Sequence, residues 1–438
     1  MLRTAAGLVA AVALLAAPTP AFAAPPWSAP TTVPNVLGQA TPVVVTPSGS
    51  AVLLGAIAST ALGSGSGPKS AVVTLGADGK PGTPQPVSLA AGLLATYAKG
   101  RIAVAGSTLH NGTIDEHSHA TVALGTPASL GPARGLTGST GQHVFGLAGN
   151  VRGDVAVVTG DASHVRTVYV RRAGTTTFRV ALKFPISRDR ARGATVAVGP
   201  KGDVLVVWED NHVIFARHVG PTGSAGPAHR IGDGVQSQLQ GAIDDTGRLE
   251  VAWKTQRVTE GESDATATIR FATAAPGRGF GSQRTIETID AGRAVGDPGV
   301  RMVPEGSGRT LVAWTGFAGG HFVVRAADFA NGHIAAAQTL SPPTTDAVLG
   351  DAAVGSGGAA TVAWRSGVLG SDPVPGANPI VFASHRDAGQ SAFGAPEQVS
   401  STGENVAFAP SVAIDPVSGR SFVAYLPLSA AAEVSVRP

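Results

Sequence analysis

Short apolar stretches alternate with glycine-containing turns along almost the whole chain, and the pattern repeats. In a clear copy, the apolar run Val196–Val198 precedes a turn glycine, Gly202, and a second apolar run ends on Trp208, six positions after that glycine. The turn glycines of the repeats are Gly49, Gly100, Gly153, Gly202, Gly247, Gly308, Gly358 and Gly419. Units of roughly fifty residues with several strands each are typical of β-propeller blades.

The residue types fit this interpretation. A tight hairpin turn needs a positive φ, which glycine adopts without a Cβ clash. The β-branched runs on either side suit strands covered on both faces. Five copies carry an aromatic residue six positions after the glycine, and we expect these side chains to be buried between blades: Trp208, Trp253, Trp314, Trp364 and Tyr425.

A second regularity marks the outer strand of each repeat, where a small or apolar residue is followed six positions later by an apolar one. Seven such pairs lie inside the chain, and an eighth, Trp27 and Val33, precedes the first repeat. The last repeat lacks room for its own outer strand. The sequence therefore predicts an all-β fold, a single propeller of eight four-stranded blades, in which Thr31–Val33 pairs with Glu433–Val436 and closes the ring.

Other architectures fit less well. Tandem β-sandwiches need about 100 residues per unit, and a β-helix would not leave complementary chain ends. A seven-bladed ring is the alternative, because the first two copies are the least regular.

The N-terminus predicts an export signal over residues 1–23. Arg3 supplies a basic start, Ala5–Ala17 is apolar but too short to span a bilayer, and Ala21-Phe22-Ala23 resembles a cleavage site. Residues 24–438 then form one propeller domain. A secreted or extracellular protein without cysteine must depend on packing rather than disulfides.

Charge narrows the range of partners. The net charge is only +3, and no basic stripe is present, which argues against nucleic acid as a partner. We expect no membrane span, because the N-terminal apolar stretch is too short. We expect no cofactor, since phosphate-loop, His-Glu-x-x-His, haem and flavin signatures are absent. We expect a monomer whose partner is a cell-wall glycan, another carbohydrate or a protein.

The Val-Ala-Val-x-Pro-x-Gly-Asp-x-Leu-Val-Val-Trp element around Gly202 resembles the blade motif of secreted bacterial propellers, which are distantly similar to NHL-type and sialidase-like propellers. That resemblance implies a fold and little about function. The sialidase Asp box is approached only at Ile243–Gly247, where the hydroxyl residue is lacking and Glu250 replaces the aromatic. No catalytic residue is therefore carried over.

One face of the ring is the predicted ligand site. The loops that enter the first strands and those that join second to third strands share a face and are long and irregular, as recognition loops often are. On it, Arg190, Arg192, Glu209 and Asp210 could bind a carboxylate or a sugar through paired Arg contacts. The competing interpretation is a self-neutralised surface loop.

A weaker candidate is metal binding by His117 and His119, which share a face if they lie on one strand. The competing interpretation is a solvated loop, and the sequence supplies no third ligand at a diagnostic spacing.

The sequence leaves three alternative functions open. The first is a non-enzymatic binding or surface-interaction propeller. The second is a glycan-active hydrolase or lyase, which would need two or more carboxylates converging on one pocket. The third is a purely structural envelope protein.

Overall fold

The computed structural model describes residues 27–34, 36–37, 42–46, 49–57, 69–87, 89–108, 118–140, 143–161, 164–187, 193–234, 238–258, 265–290, 299–330, 332–369, 372–373, 379–401, 405–406, 408–428 and 431–438. The predicted export signal lies outside the described residues. Within them, the structure contains no helix with the length and apolar character needed to span a bilayer.

Strands make up nearly all of the regular structure. In chain order, those of the first half are Thr31–Thr32 (β1), Val36–Leu37 (β2), Val43–Val45 (β3), Ala51–Ile57 (β4), Lys69–Leu75 (β5), Gln85–Val87 (β6), Ala90–Tyr97 (β7), Arg101–Ser107 (β8), His119–Thr126 (β9), Ser129–Leu130 (β10), Arg134–Thr140 (β11), His143–Gly149 (β12), Val155–Gly160 (β13), Val165–Arg171 (β14), Arg179–Pro185 (β15), Ala194–Val198 (β16), Val204–Asp210 (β17), Val213–Val219 (β18) and Ala225–Asp233 (β19). Those of the second half are Gln238–Ile243 (β20), Leu249–Val258 (β21), Ala265–Ala274 (β22), Arg284–Asp290 (β23), Val300–Gly306 (β24), Arg309–Ala318 (β25), His321–Ala330 (β26), His333–Ile334 (β27), Gln338–Thr339 (β28), Ala347–Val354 (β29), Ala360–Ser366 (β30), Val368–Leu369 (β31), Asp372–Pro373 (β32), Ile380–Arg386 (β33), Glu397–Gln398 (β34), Ser411–Ile414 (β35), Ser421–Tyr425 (β36) and Glu433–Arg437 (β37). A short 3-10 helix spans Ser356–Gly358.

These strands form eight antiparallel blades. Blade 1 contains β2 and β3 as a divided first strand, then β4, β5 and β6, and blade 2 contains β7, β8 and β9 with β10 and β11 as a divided outer strand. Blades 3, 4 and 5 are β12–β15, β16–β19 and β20–β23. Blade 6 is β24–β26 with β27 and β28 outermost, blade 7 is β29, β30, β33 and β34, and blade 8 is β35, β36, β37 and β1. The strands β31 and β32 form a small hairpin between β30 and β33.

The blades form a closed ring. Each first strand contacts the first strand of the next blade, in the order β3, β7, β12, β16, β20, β24, β29 and β35, and β35 contacts β3 again. The prediction of eight blades is therefore confirmed, and the seven-bladed alternative is wrong.

The N-terminal segment completes blade 8. Thr31 pairs with Val434 and Thr32 with Glu433. Beside them, the Ser28 amide donates to the Val436 carbonyl at 2.8 Å, and the completely buried Val33 donates its amide to Ala432 at 2.7 Å. The predicted pairing of the two chain ends is confirmed, and it covers the edge of β37, which would otherwise be free.

The turn glycines occupy equivalent hairpins between first and second strands. All eight have φ between 66° and 109°, a region that strains any residue with a Cβ. These turns, and those between third and fourth strands, emerge on one side of the ring, called here the Gly-turn face. The loops between second and third strands, and between consecutive blades, emerge on the opposite side, called the long-loop face.

The repeat aromatics lie at equivalent points of the second strands and are buried, as predicted. The polar atoms of two of them have carboxylate partners, whereas the buried Nε1–H of Trp364 has no hydrogen-bond partner among the described residues. Trp314 donates Nε1–H to Glu287 Oε2 at 2.6 Å, and the Tyr425 hydroxyl donates to Glu433 Oε2 at 2.9 Å. The aromatic positions therefore serve packing between blades.

Removing residues 1–33 should destabilise the ring. The change exposes the edge of β37 and the apolar surface around Val434, so we expect a lower melting temperature, a broader transition and self-association. Thermal unfolding followed by circular dichroism, with size-exclusion chromatography, compares this variant with one lacking only residues 1–23. Equal melting temperatures would show that β1 does not close the ring.

Replacing Trp314 by Ala should cost about 3–5 kcal/mol of unfolding free energy, because a large, fully buried side chain and its hydrogen bond to Glu287 are both lost. Urea unfolding measures the change. Val417→Ala is the control, since Val417 is 77% exposed and should shift stability by less than about 0.5 kcal/mol. Similar effects at both positions would contradict the assigned packing role.

Candidate functional site

Side chains cross from blade to blade on the Gly-turn face, and the contact between two neighbouring blades is called here a seam. At seam 3/4, Asn150 donates Nδ2–H to the Gly199 carbonyl at 2.8 Å, and Arg152 donates to the Lys201 carbonyl at 2.6 Å. Arg172 lies across the same seam and donates to the carbonyls of Gly202 and Gly220. Blade 3 thus holds the glycine turn of blade 4 and fills the space beside it.

Seam 5/6 is closed in a related way. The Asp245 carboxylate accepts the backbone N–H groups of Ser307 at 2.6 Å and Gly308 at 2.8 Å, and these bonds lower its pKa. Arg248 also approaches the Gly308 carbonyl, at 3.5 Å. The segment that comes nearest to an Asp box is therefore a structural brace between two blades.

Seam 4/5 differs from both of these. Strand register places Arg171 opposite Val155 in blade 3 and Val219 opposite Val204 in blade 4, so Gly220 is the counterpart of Arg172. Gly220 has no side chain to extend across the seam. Among the described residues, no side-chain hydrogen bond joins the glycine turn of blade 4 to that of blade 5.

A cleft of about 130 Å³ occupies this seam. It opens on the Gly-turn face, and its walls come from the glycine turns of both blades, the end of β18 and the turn after β22. The lining residues are Lys201, Asp203, His218, Thr246, Gly247, Leu249, Pro276 and Gly277. Gly247 is the counterpart of Gly202, which Arg172 covers at seam 3/4, so the missing guanidinium accounts for the open space.

The cleft combines polar groups with an apolar wall. His218 Nε2 lies 2.9 Å from Asp203 Oδ1, and the two side chains are partly exposed. Lys201 adds an exposed ammonium group. Buried Leu249 and the exposed ring of Pro276 supply apolar surface. A small ligand could bind here through hydrogen bonds at one edge and van der Waals contact along one side.

Of the four residues predicted from the sequence, Glu209 and Asp210 are described by the structure, and they lie on the long-loop face. Glu209 and Asp210 end β17 at a tight turn, as expected, but Glu209 is only 1% exposed and its Oε1 lies 3.8 Å from His212 Nδ1. Asp210 Oδ1 accepts the Ser187 amide at 2.7 Å. Arg190 and Arg192 lie outside the described residues, so the four-residue site stays a prediction.

Of the predicted histidine pair, the structure describes only His119. His117 lies outside the described residues, and His119 begins β9 with an exposed side chain, its amide donating to Thr108 Oγ1 at 2.8 Å. Within the described part of the chain, no group of three or more His, Asp or Glu side chains is arranged to hold a metal ion. Metal binding by this pair is untested.

Two other seams contain buried polar pairs at equivalent positions. At seam 7/8, Thr361 Oγ1 lies 2.8 Å from both Ser421 Oγ and His385 Nδ1, while His385 Nε2 lies 3.3 Å from Asp387. Burial lowers the pKa of His385 and so favours its neutral form. Both hydroxyl residues are completely buried, so this cluster packs the seam and does not present a nucleophile to substrate.

The equivalent pair at seam 5/6 is Thr310 and Glu250. The Thr310 hydroxyl donates to Glu250 Oε2 at 2.5 Å, and Glu250 is completely buried. Burial raises the pKa of Glu250 to about 7, and the Thr310 bond only partly opposes this. At seam 4/5 the same two positions are Leu205 and Leu249, which pack together in one apolar cluster.

Comparison with known proteins does not assign this chain to a family. No family model matches the sequence, and a search of curated proteins finds no match. Solved structures do match. A prolyl endopeptidase aligns with TM-score 0.45 and 14% identity over 93% of this chain and 54% of its own, so the chain spans about half the length of that enzyme.

Two smaller proteins also align. The Aleuria aurantia lectin, in complex with a fucosylated disaccharide, has TM-score 0.36 and 10% identity over 66% of this chain and 90% of its own. The Penicillium chrysogenum α-L-arabinanase, in complex with arabinobiose, has TM-score 0.34 and 14% identity over 67% and 92%. These similarities are distant, and the fold is established by the strand pairing of this chain.

Glu250 should make stability depend on pH. Its folded pKa of about 7 lies above the ordinary 4.5, so its contribution is fully present below pH 4.5 and is lost as pH rises through 7. Between these limits the wild type should lose about 3 kcal/mol relative to Glu250→Gln. Urea unfolding across this pH range measures the difference. Asp290→Asn, at an exposed strand end, is the control, and parallel curves for wild type and Glu250→Gln would contradict a buried, neutral carboxyl.

Proposed function

We propose that this protein is a secreted, non-enzymatic carbohydrate-binding propeller that holds one sugar residue of a glycan in the cleft at seam 4/5. The observation that carries the proposal is the cleft itself, with Lys201 and the Asp203–His218 pair opposite the apolar surface of Leu249 and Pro276. A sugar ring presents hydroxyl groups at its edge and C–H groups on its face. Both surfaces of the ring therefore have a counterpart in the cleft.

The size of the cleft suits part of one sugar residue, with the remaining substituents in solvent. A volume of about 130 Å³ is close to the roughly 150 Å³ of engineered cavities that hold benzene, and this cleft is open on one side, so neighbouring sugar residues can continue into solvent. Asp203 Oδ2 and the second nitrogen of His218 remain for hydroxyl groups, because the 2.9 Å contact uses Oδ1 and Nε2. Asp203 holds the imidazole in a fixed orientation, which reduces the entropy lost on binding.

The number of carboxylates in the cleft favours ligand binding over catalysis. Glycoside hydrolysis ordinarily uses two carboxyl groups, one on each side of the scissile bond. Of the residues that line the cleft, Asp203 alone carries a carboxylate.

A glycan-active enzyme is the second candidate, on the observation that His218 and Asp203 form a hydrogen-bonded pair of the kind that serves in proton transfer. Release of reducing ends or oligosaccharides from a bound glycan would establish it, and intact glycan after prolonged incubation would support binding alone.

Gly220→Arg should fill the cleft and abolish glycan binding. By analogy with Arg172, the new guanidinium should reach the carbonyls of Gly247 and Ala275. The backbone tolerates a side chain, since a Cβ at Gly220 would meet only Ser224, at 3.3 Å from Oγ and 3.6 Å from its carbonyl oxygen. On a printed array of bacterial, fungal and plant glycans, the wild type should bind and Gly220→Arg should lose at least tenfold in signal at an unchanged melting temperature.

Two controls make the result specific. Gly220→Ala adds a Cβ without filling the cleft and should bind like the wild type. The double variant Arg190→Ala, Arg192→Ala tests the long-loop face. Loss of binding in the double variant, with binding retained in Gly220→Arg, would place the site on the long-loop face and overturn this proposal.

A further inference from the structure

The cleft contains one positive charge without a counter-ion. The Lys201 side chain is exposed, and no described carboxylate lies within 4.0 Å of its ammonium group. Asp203, the acid nearest to it in sequence, is in contact with His218. Lysines on a protein surface commonly lack partners, but Lys201 lines a concave site and shares it with hydrogen-bonding groups already fixed in place.

The charges around the cleft add to that of Lys201. Arg152 donates to the Lys201 carbonyl from blade 3, which brings a second cation to the same turn. The nearby acids are engaged: Asp154 lies 3.9 Å from Arg172, Asp244 lies 3.4 Å from Arg248, and Asp245 accepts two amides of blade 6. Among the described residues that line the cleft, Lys201 is the only lysine or arginine, so it is the group to which an anionic ligand would bind.

We infer that the sugar residue bound at seam 4/5 carries a carboxylate, as a uronic acid does, and that Lys201 binds this carboxylate. The inference rests on the proposed function and names its ligand class. A lysine ammonium is a compact charge of +1, which a single carboxylate balances, whereas a phosphate dianion would leave a surplus negative charge beside Asp203. The hydroxyl groups of the same ring then meet Asp203 and His218, and the ring face meets Leu249 and Pro276.

The test compares two probes that differ only at C6. Methyl β-D-glucuronide carries the carboxylate, and methyl β-D-glucoside carries a hydroxymethyl group there. Isothermal titration calorimetry or ligand-observed NMR at low ionic strength should give wild-type protein about tenfold tighter binding of the glucuronide, and added salt should reduce this preference. Glucose 6-phosphate, as a third probe, should bind less tightly than the glucuronide.

Lys201→Gln should remove the preference, so that glucuronide and glucoside bind equally, because the carboxylate loses its cation while both sugars keep the same hydrogen-bonding and apolar groups of the cleft. The matched control is Lys80→Gln, since Lys80 is an exposed lysine of a turn on the same face in blade 1. That variant should keep the full tenfold preference.

The outcomes separate the two proposals. Equal binding of glucuronide and glucoside by the wild type would overturn the carboxylate inference and leave the proposed function standing. Binding of neither probe, together with an empty glycan array, would overturn both. A preference for glucuronide that persists in Lys201→Gln would overturn the role of Lys201 and show that another cation binds the carboxylate. Tighter binding of glucose 6-phosphate than of glucuronide would overturn the carboxylate inference and indicate that the ligand carries a phosphate.

Discussion

The pairing of Thr31 and Thr32 with the last strand is the contact that closes the ring, and the rest of the structure depends on closure. Each blade is a sheet with apolar side chains on both faces, so it is stable only between two neighbours. An open array would leave one face of the first and last blades in water and β37 as a free edge. Because the chain contains no cysteine, no disulfide can hold the ends together in place of this pairing.

Closure also sets the conditions for a binding site. Eight seams of similar geometry are generated by one repeat, and what distinguishes them is which side chains cross from blade to blade. Arg172 fills seam 3/4, Asp245 braces seam 5/6, and at seam 6/7 the buried Arg386 donates to Asp328 and Glu305 of blade 6. At seam 4/5, Gly220 occupies the position of Arg172, and no side-chain hydrogen bond of the described residues joins the two glycine turns in its place. An open seam and a filled seam can thus differ by one side chain on the same scaffold.

The repeated features were predictable because each is imposed on every blade by the same physical requirement. The positive φ at Gly202 and its counterparts, the burial of Trp208 and the complementary chain ends all follow from spacing. The cleft was not predictable in the same way. The cleft depends on the register of β14 and β18, which aligns Gly220 with Arg172. The turns that follow the second strands vary in length, so spacing in the sequence does not show that alignment. Aligning the third strands of blades 3 and 4 so that Val170 matches His218 would have shown that Gly220 takes the place of Arg172.

Burial explains why the residues favoured from the sequence differ from those of the cleft. Charge and loop length favoured the long-loop face, but neither quantity shows that Glu209 lies beneath the surface or that Asp210 binds the Ser187 amide. Conversely, Lys201 and Asp203 belong to a short turn that is similar in every blade, so nothing in its sequence indicated ligand binding. The Gly-turn face acquires specificity from the space between two turns rather than from the turns themselves.

The most direct measurement is a crystal structure of the protein soaked with methyl β-D-glucuronide. We expect a single sugar ring at seam 4/5, with its carboxylate about 3 Å from Lys201 Nζ. Its hydroxyl groups should contact Asp203 and His218, and one ring face should lie against Leu249 and Pro276. An empty cleft with the sugar bound among the loops of the long-loop face would contradict it.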